Sequence, residues 1–275
     1  MTEHSYSSPP PLGQAPSSRI ALLCPWSGEG PDPTRARHRL LRSGLLSLAA
    51  AGLLLGLLGL WSSWALGLAP AIAVRALLLY AGLALLVLFG LPGHLPLTRF
   101  GPANAITLLR AAVACWLAAL IGQDLPPGLA WLPAPVAGFA LLLDGFDGWA
   151  ARRGGWASAF GARFDLESDA FFLAVLAGLA VDQDRLGPWI LLAGALRYLF
   201  VAAGRLGPWL RRPLAPCWSR KAAYVLTAGV LVGCLVPGVP AAVAEPAAAG
   251  ALALLVASFL RDVATLRRTD PGDRP

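Results

Sequence analysis

The stretch Asp144–Asp169, DGFDGWAARRGGWASAFGARFDLESD, sets five carboxylates and three arginines inside a chain that is otherwise largely hydrocarbon. Ionised groups at membrane depth are costly unless paired, hydrated or bound to metal, so a cluster of them marks a built site. Asp144 and Asp147 are three residues apart and Asp165 and Asp169 four apart, so on helices each pair shares a face. Two such helices can aim four carboxylates at one point, with Glu167 turned away. The stretch holds no histidine or cysteine, and an all-oxygen donor set suits hard divalent cations such as Mg²⁺ or Mn²⁺. Such ions bind diphosphates, and a pair of them serves both the attacking and the departing oxygen of a displacement.

The rest of the chain supplies the membrane setting. Of 275 residues, 57% are hydrophobic and 13% charged, more apolar than a soluble domain with a polar surface can be. Crossing the hydrocarbon takes about 20 apolar residues. Apolar runs fall near 44–64, 71–91, 105–121, 132–150, 170–181, 188–203, 222–236 and 241–260. The fifth is short alone and becomes a full span when extended back through Phe164 and the aspartate pair. The expected fold is therefore all-α and polytopic, with about eight transmembrane helices. Residues 1–43 are rich in Pro, Ser and Gly and end in RARHRLLR, which reads as a disordered cytoplasmic tail with a basic juxtamembrane anchor.

Basic residues set the orientation. With the N terminus inside, 18 of the 22 Lys and Arg fall in cytoplasmic segments and one, Arg185, in an outer loop. The positive-inside rule then puts both termini and all four aspartates at the cytoplasmic face of a bacterial-type inner membrane. The net charge of +7 is thus topological, and a nucleic-acid partner is excluded. The four cysteines are scattered without a CxxC, which excludes a zinc site or a disulfide framework. His4, His38 and His94 lie in polar or Pro/Gly-rich segments and read as solvated.

The full spacing runs Asp144, Asp147, Gly148, Ala151, Arg152, Gly161, Asp165, Asp169. It resembles the signature of the CDP-alcohol phosphatidyltransferase family at every defined position. Asn104, Thr107 and Arg110, in PANAITLLR, resemble the segment that opens that family's first core helix. The resemblance covers roughly Pro102 to Leu266. It implies a six-helix catalytic core over 101–268, preceded by two additional helices over 44–100 and followed by a short cytoplasmic tail over 269–275.

The reaction it implies is attack by an alcohol hydroxyl on the phosphorus of a CDP-alcohol, CDP-diacylglycerol above all, with release of CMP. By the same resemblance Asp144, Asp147, Asp165 and Asp169 are ligands of Mg²⁺ or Mn²⁺, as two ions, and Asp169 is also the general base. Asn104, Thr107, Gly148, Arg152, Ser158 and Gly161 are expected at the CDP-alcohol, and a homodimer is implied. Arg197, Arg220 and Lys221, in later helices near the cytoplasmic side, are candidates to hold a phosphate on the acceptor. Glycerol 3-phosphate leads as acceptor, ahead of inositol phosphate, serine or another alcohol. An ion or solute transporter is the alternative of another class, since intramembrane carboxylates also serve transport. The absence of a second repeated half and the gathering of the acids at one face argue against it.

Overall fold

The computed structural model describes residues 33–95, 97–154, 158–207 and 218–268, with the backbone alone for 33, 146–154, 206 and 268. Its helices are α1 (Pro33–Leu66), α2 (Pro70–Gly90), α3 (Pro102–Ala119), α4 (Pro133–Gly154), α5 (Ala159–Asp182), α6 (Leu191–Leu206), α7 (Trp218–Cys234) and α8 (Ala241–Arg268). The described residues contain no strand. The first four helices each open on a proline, whose fixed φ and missing N–H suit the first helical position. Gly67, at φ +66°, ends α1 in the left-handed conformation that costs glycine least.

Each expected apolar run lies within one helix, apart from terminal residues, and the boundaries differ mostly at polar ends. α1 begins at Pro33, so the last part of the segment expected to be a disordered tail is helical. Its arginines and leucines are good helix formers, and Leu40 is buried against the bundle. The boundary expected at residue 43 therefore falls inside a helix. α5 begins at Ala159 behind an N-cap at Ser158, and α7 at Trp218, which takes Arg220 and Lys221 into its first turn.

α3 is the centre of the bundle and touches α1, α2, α4 and α5. Its alanines at 111, 112, 114 and 119, all buried, let neighbouring helices approach closely, as small residues do between helices in lipid. α7 packs on α4, α5 and α8, and α6 on α5 and α8. Hydrogen bonds tie the two ends of the bundle separately. At one end the Phe100 N–H donates to Ser43 Oγ at 2.7 Å. At the other the Gly122 N–H donates to Asp182 at 2.8 Å, and Arg185 donates to the carbonyls of Cys234, Val236 and Val239 at 3.0, 2.9 and 2.8 Å.

Large apolar side chains such as Leu53, Trp64, Leu78, Phe89 and Leu142 point outward, a surface that only lipid or another apolar partner would cover. α1, α2, α3, α4 and α8 are each long and apolar enough to cross a membrane. α6 and α7, of 16 and 17 residues, are shorter, and α5 carries Arg163, Asp165, Glu167 and Asp169 in its first half. The chain is an all-α polytopic membrane protein.

Candidate metal and substrate site

Arg110, at mid-length in α3, is the hub of the site. Its side chain is fully buried, and a guanidinium at that depth demands anionic partners. Nη1 donates to Asp144 Oδ1 from α4. Nη2 donates to Asp165 Oδ1 at 3.0 Å and Asp169 Oδ1 at 2.7 Å, both from α5. The four-residue spacing on α5 is what lets one nitrogen reach both acids. Carboxylate oxygens of Asp144, Asp165 and Asp169 lie within 4.8 Å of one another. Asp144 is buried, while the Asp165 and Asp169 side chains are 36% and 18% exposed.

Lys221 Nζ, on α7, stands 3.5 Å from Asp144 Oδ2. Three carboxylates thus face two cations and the cluster keeps a surplus of negative charge. A cavity of about 470 Å³ opens beside it, lined by Asp165, Asp169, Arg197, Arg220, Lys221 and Tyr224. Oxygen donors alone, surplus negative charge and an adjoining cavity fit a hard divalent cation. Asp147, Gly148 and Arg152 lie in the helical backbone of α4, and their side chains fall outside the described residues.

Four of the six residues expected near the nucleotide, Asn104, Thr107, Ser158 and Gly161, lie in or beside the early turns of α3 and α5. Ser158 caps α5 by accepting from the Gly161 N–H at 2.9 Å, as a serine N-cap does. A Cβ at Gly161 would lie 2.7 Å from Asn104 Oδ1 and 3.2 Å from Ser158 Oγ, so a larger residue there would displace the Asn104 amide. The Asn104 amide donates to the Phe100 carbonyl at 2.6 Å, and Thr107 Oγ1 donates to the Ala103 carbonyl at 3.1 Å. Both residues are buried.

The acceptor candidates all line the cavity, and each has an acidic neighbour. Arg197 pairs with Glu167 at 2.7 Å, so Glu167, turned from the aspartates, faces α6. Arg220 Nε lies 2.8 Å from Asp262 Oδ2 on α8.

Three participants were not read from the sequence. Arg110 entered only as part of a motif segment, although the rule that an intramembrane arginine needs a partner, applied to Arg197, covers it equally. Asp262 had no sequence signal beyond being an acid in the last helix. His94, read as solvated, is fully buried. Its Nδ1 is 2.6 Å from Ser158 Oγ and its Nε2 2.9 Å from the Arg99 carbonyl. A carbonyl only accepts, so in the neutral ring Nε2 carries the proton and Nδ1 accepts from the Ser158 hydroxyl. His94 also meets Phe160 edge to face, at 5.7 Å between centroids.

The family model of CDP-alcohol phosphatidyltransferases matches residues 100–260, from just before α3 to the middle of α8. Neither the curated proteins nor the solved structures include a match to this chain.

Proposed function

The chain belongs to the CDP-alcohol phosphatidyltransferase family, and on that premise we propose that it transfers a phosphatidyl group from CDP-diacylglycerol to a hydroxyl of glycerol 3-phosphate, releasing CMP. The observation that carries this reading is the meeting of Asp144, Asp165 and Asp169 on one buried guanidinium beside a cavity lined with cations. In this reading Asp144, Asp147, Asp165 and Asp169 hold Mg²⁺ or Mn²⁺, as two ions. Bound there, the metal supplies charge neutralisation for the diphosphate and its leaving oxygen.

Asp169 takes the proton from the acceptor hydroxyl. Arg110 holds its Oδ1, which leaves Oδ2 as the accepting oxygen. The acceptor oxygen forms the new bond to phosphorus, the bond to CMP breaks, and CMP departs with the electron pair. Asn104, Thr107, Gly148, Arg152, Ser158 and Gly161 contact the CDP-alcohol. Arg110 sets the carboxylates in position and partly offsets their mutual repulsion.

Arg197, Arg220 and Lys221 hold the acceptor phosphate in the cavity. Arg197 exchanges its partial surface pairing with Glu167 for that phosphate, a small loss because exposed pairs contribute little. Glu167 and Asp262 beside the arginines favour serine as a second reading, since a zwitterion needs an acid as well as a base. The reading includes a homodimer in a bacterial-type inner membrane, with termini and site in the cytoplasm.

The test is purified protein in detergent with CDP-diacylglycerol, Mg²⁺ or Mn²⁺ and a panel of acceptors, following CMP and the lipid product. Activity is expected with glycerol 3-phosphate and is expected to vanish in excess EDTA. CMP release with serine alone would replace the acceptor. No CMP release with any alcohol would sink the transferase reading in favour of transport.

A further inference from the structure

A second cavity, of about 800 Å³, lies on the opposite side of α5 from the aspartates. One wall is α2, from Leu79 to Gly90 and on to Gly93, which precedes the residues the family model matches. The other is α5, from Ala159 to Phe171, with Tyr198 of α6 also in the lining. The walls are apolar and run about 17 Å along each helix at 1.5 Å per residue. One leaflet of hydrocarbon is about 15 Å deep.

Polar groups occur at particular depths. Arg163 lines the shallow end, is exposed, and has no ion pair among the described residues. Glu167 also lines the groove, but while no acceptor is bound Arg197 pairs with it at 2.7 Å, so the groove's net charge in that state is Arg163's. Ser168 lies five residues, roughly 7 Å, deeper than Arg163. The residue lines the groove and is 3% exposed, and its hydroxyl, itself buried, has no hydrogen-bonded partner among the described residues. A buried hydroxyl left unpaired is costly, which points to a ligand with an acceptor at that depth.

We propose that this groove binds an anionic phospholipid of the surrounding leaflet, at a site separate from the reaction. An acyl chain lies between α2 and α5, the phosphate meets Arg163, and the Ser168 hydroxyl donates to an ester carbonyl below it. The order cation, hydroxyl, hydrocarbon along the groove is the order phosphate, ester, chain along the lipid. The site gives α2, outside the family core, a lipid-recognising role.

Gly82 faces open space in this wall, with nothing within 4 Å of where a Cβ would stand, so Gly82→Leu fills the groove while favouring the helix. The full chain is placed in nanodiscs of equal phosphatidylglycerol and phosphatidylcholine, and the lipids retained on release are measured by native mass spectrometry. Wild type is expected to retain roughly fivefold more of the anionic lipid, the effect of one cation at a headgroup. Arg163→Gln should keep total lipid and lose the preference, and Gly82→Leu should lose bound lipid. Equal retention of both lipids by wild type, or an undiminished preference in Arg163→Gln, overturns the proposal. So does Gly82→Leu altering cross-linked oligomers with lipid retention unchanged, which would make this face a contact between copies of the chain.

Discussion

Arg110 supports three carboxylates from two other helices with its two terminal nitrogens. Removing it leaves like charges within 4.8 Å of one another, and breaking a buried ionic cluster from one side costs about 3–5 kcal/mol. Arg110→Met should therefore lower the melting temperature in detergent, and saturating Mn²⁺ should restore more of the loss than it adds to wild type. Equal metal effects on the two proteins would show that the acids do not depend on the guanidinium for charge balance. Asp169 differs from its neighbours in the role assigned to it. General-base catalysis is worth about 10²- to 10⁴-fold, so Asp169→Asn should lower kcat by about that factor while CDP-diacylglycerol affinity suffers less. If Asp169→Asn loses affinity as severely as Asp144→Asn, Asp169 serves chiefly as a metal ligand and another group takes the proton. The convergence of Asp144, Asp165 and Asp169 was legible because helical periodicity fixes which face a residue occupies, while Asp147's side chain lies outside the described residues. Arg110's part was not, since its partners lie 34, 55 and 59 residues away and only tertiary packing brings them together.

The element on which the site turns is the first turn of α5. Its cap, Ser158, is tied to α5 through the Gly161 N–H and to the segment after α2 through His94. Four groups are thus held in sequence: the Arg99 carbonyl, the His94 ring, the Ser158 hydroxyl and the Gly161 amide. His94→Phe keeps an aromatic ring against Phe160 and deletes both hydrogen bonds. Stripping one partner from buried polar groups costs about 1–3 kcal/mol, so stability should fall by that order. If the tie positions the cap for the nucleotide, KM for CDP-diacylglycerol should rise more than kcat falls. A fall in melting temperature with KM unchanged would make His94 purely structural. The helices were readable as apolar runs, but this connection was not. His94 sits in a Leu-Pro-Gly-His turn whose composition reads as solvated loop, and burial there comes from α5 folding over it. The start of α1 was misplaced for a related reason, because charge marks where apolarity ends and not where a helix does.

At the scale of the whole molecule, the bundle has two chemically different ends. One holds Arg99, His94, Ser158, Arg220 and the aspartate cluster, and the other holds Arg185 and Asp182, whose bonds satisfy backbone groups at the turns. That separation, together with 18 of 22 basic residues assigned to one side, motivates an orientation with the aspartate end in the cytoplasm. In the proposed reaction the CDP head group of the lipid and the soluble acceptor have to meet at that end, so orientation and chemistry must agree. A reporter active only in the cytoplasm, fused after Arg268, should give signal. A protease site inserted after Asp184, in the α5–α6 turn, should be cut from outside intact spheroplasts. The two measurements address opposite ends of the same helices, so a correct fold in the wrong orientation reverses both together. Reversal would put the aspartates on the face without CDP-alcohol head groups and overturn the assigned reaction along with the topology. A cytoplasmic location at both positions would instead leave an even number of crossings among α6, α7 and α8, of which α6 and α7, at 16 and 17 residues, are the shortest.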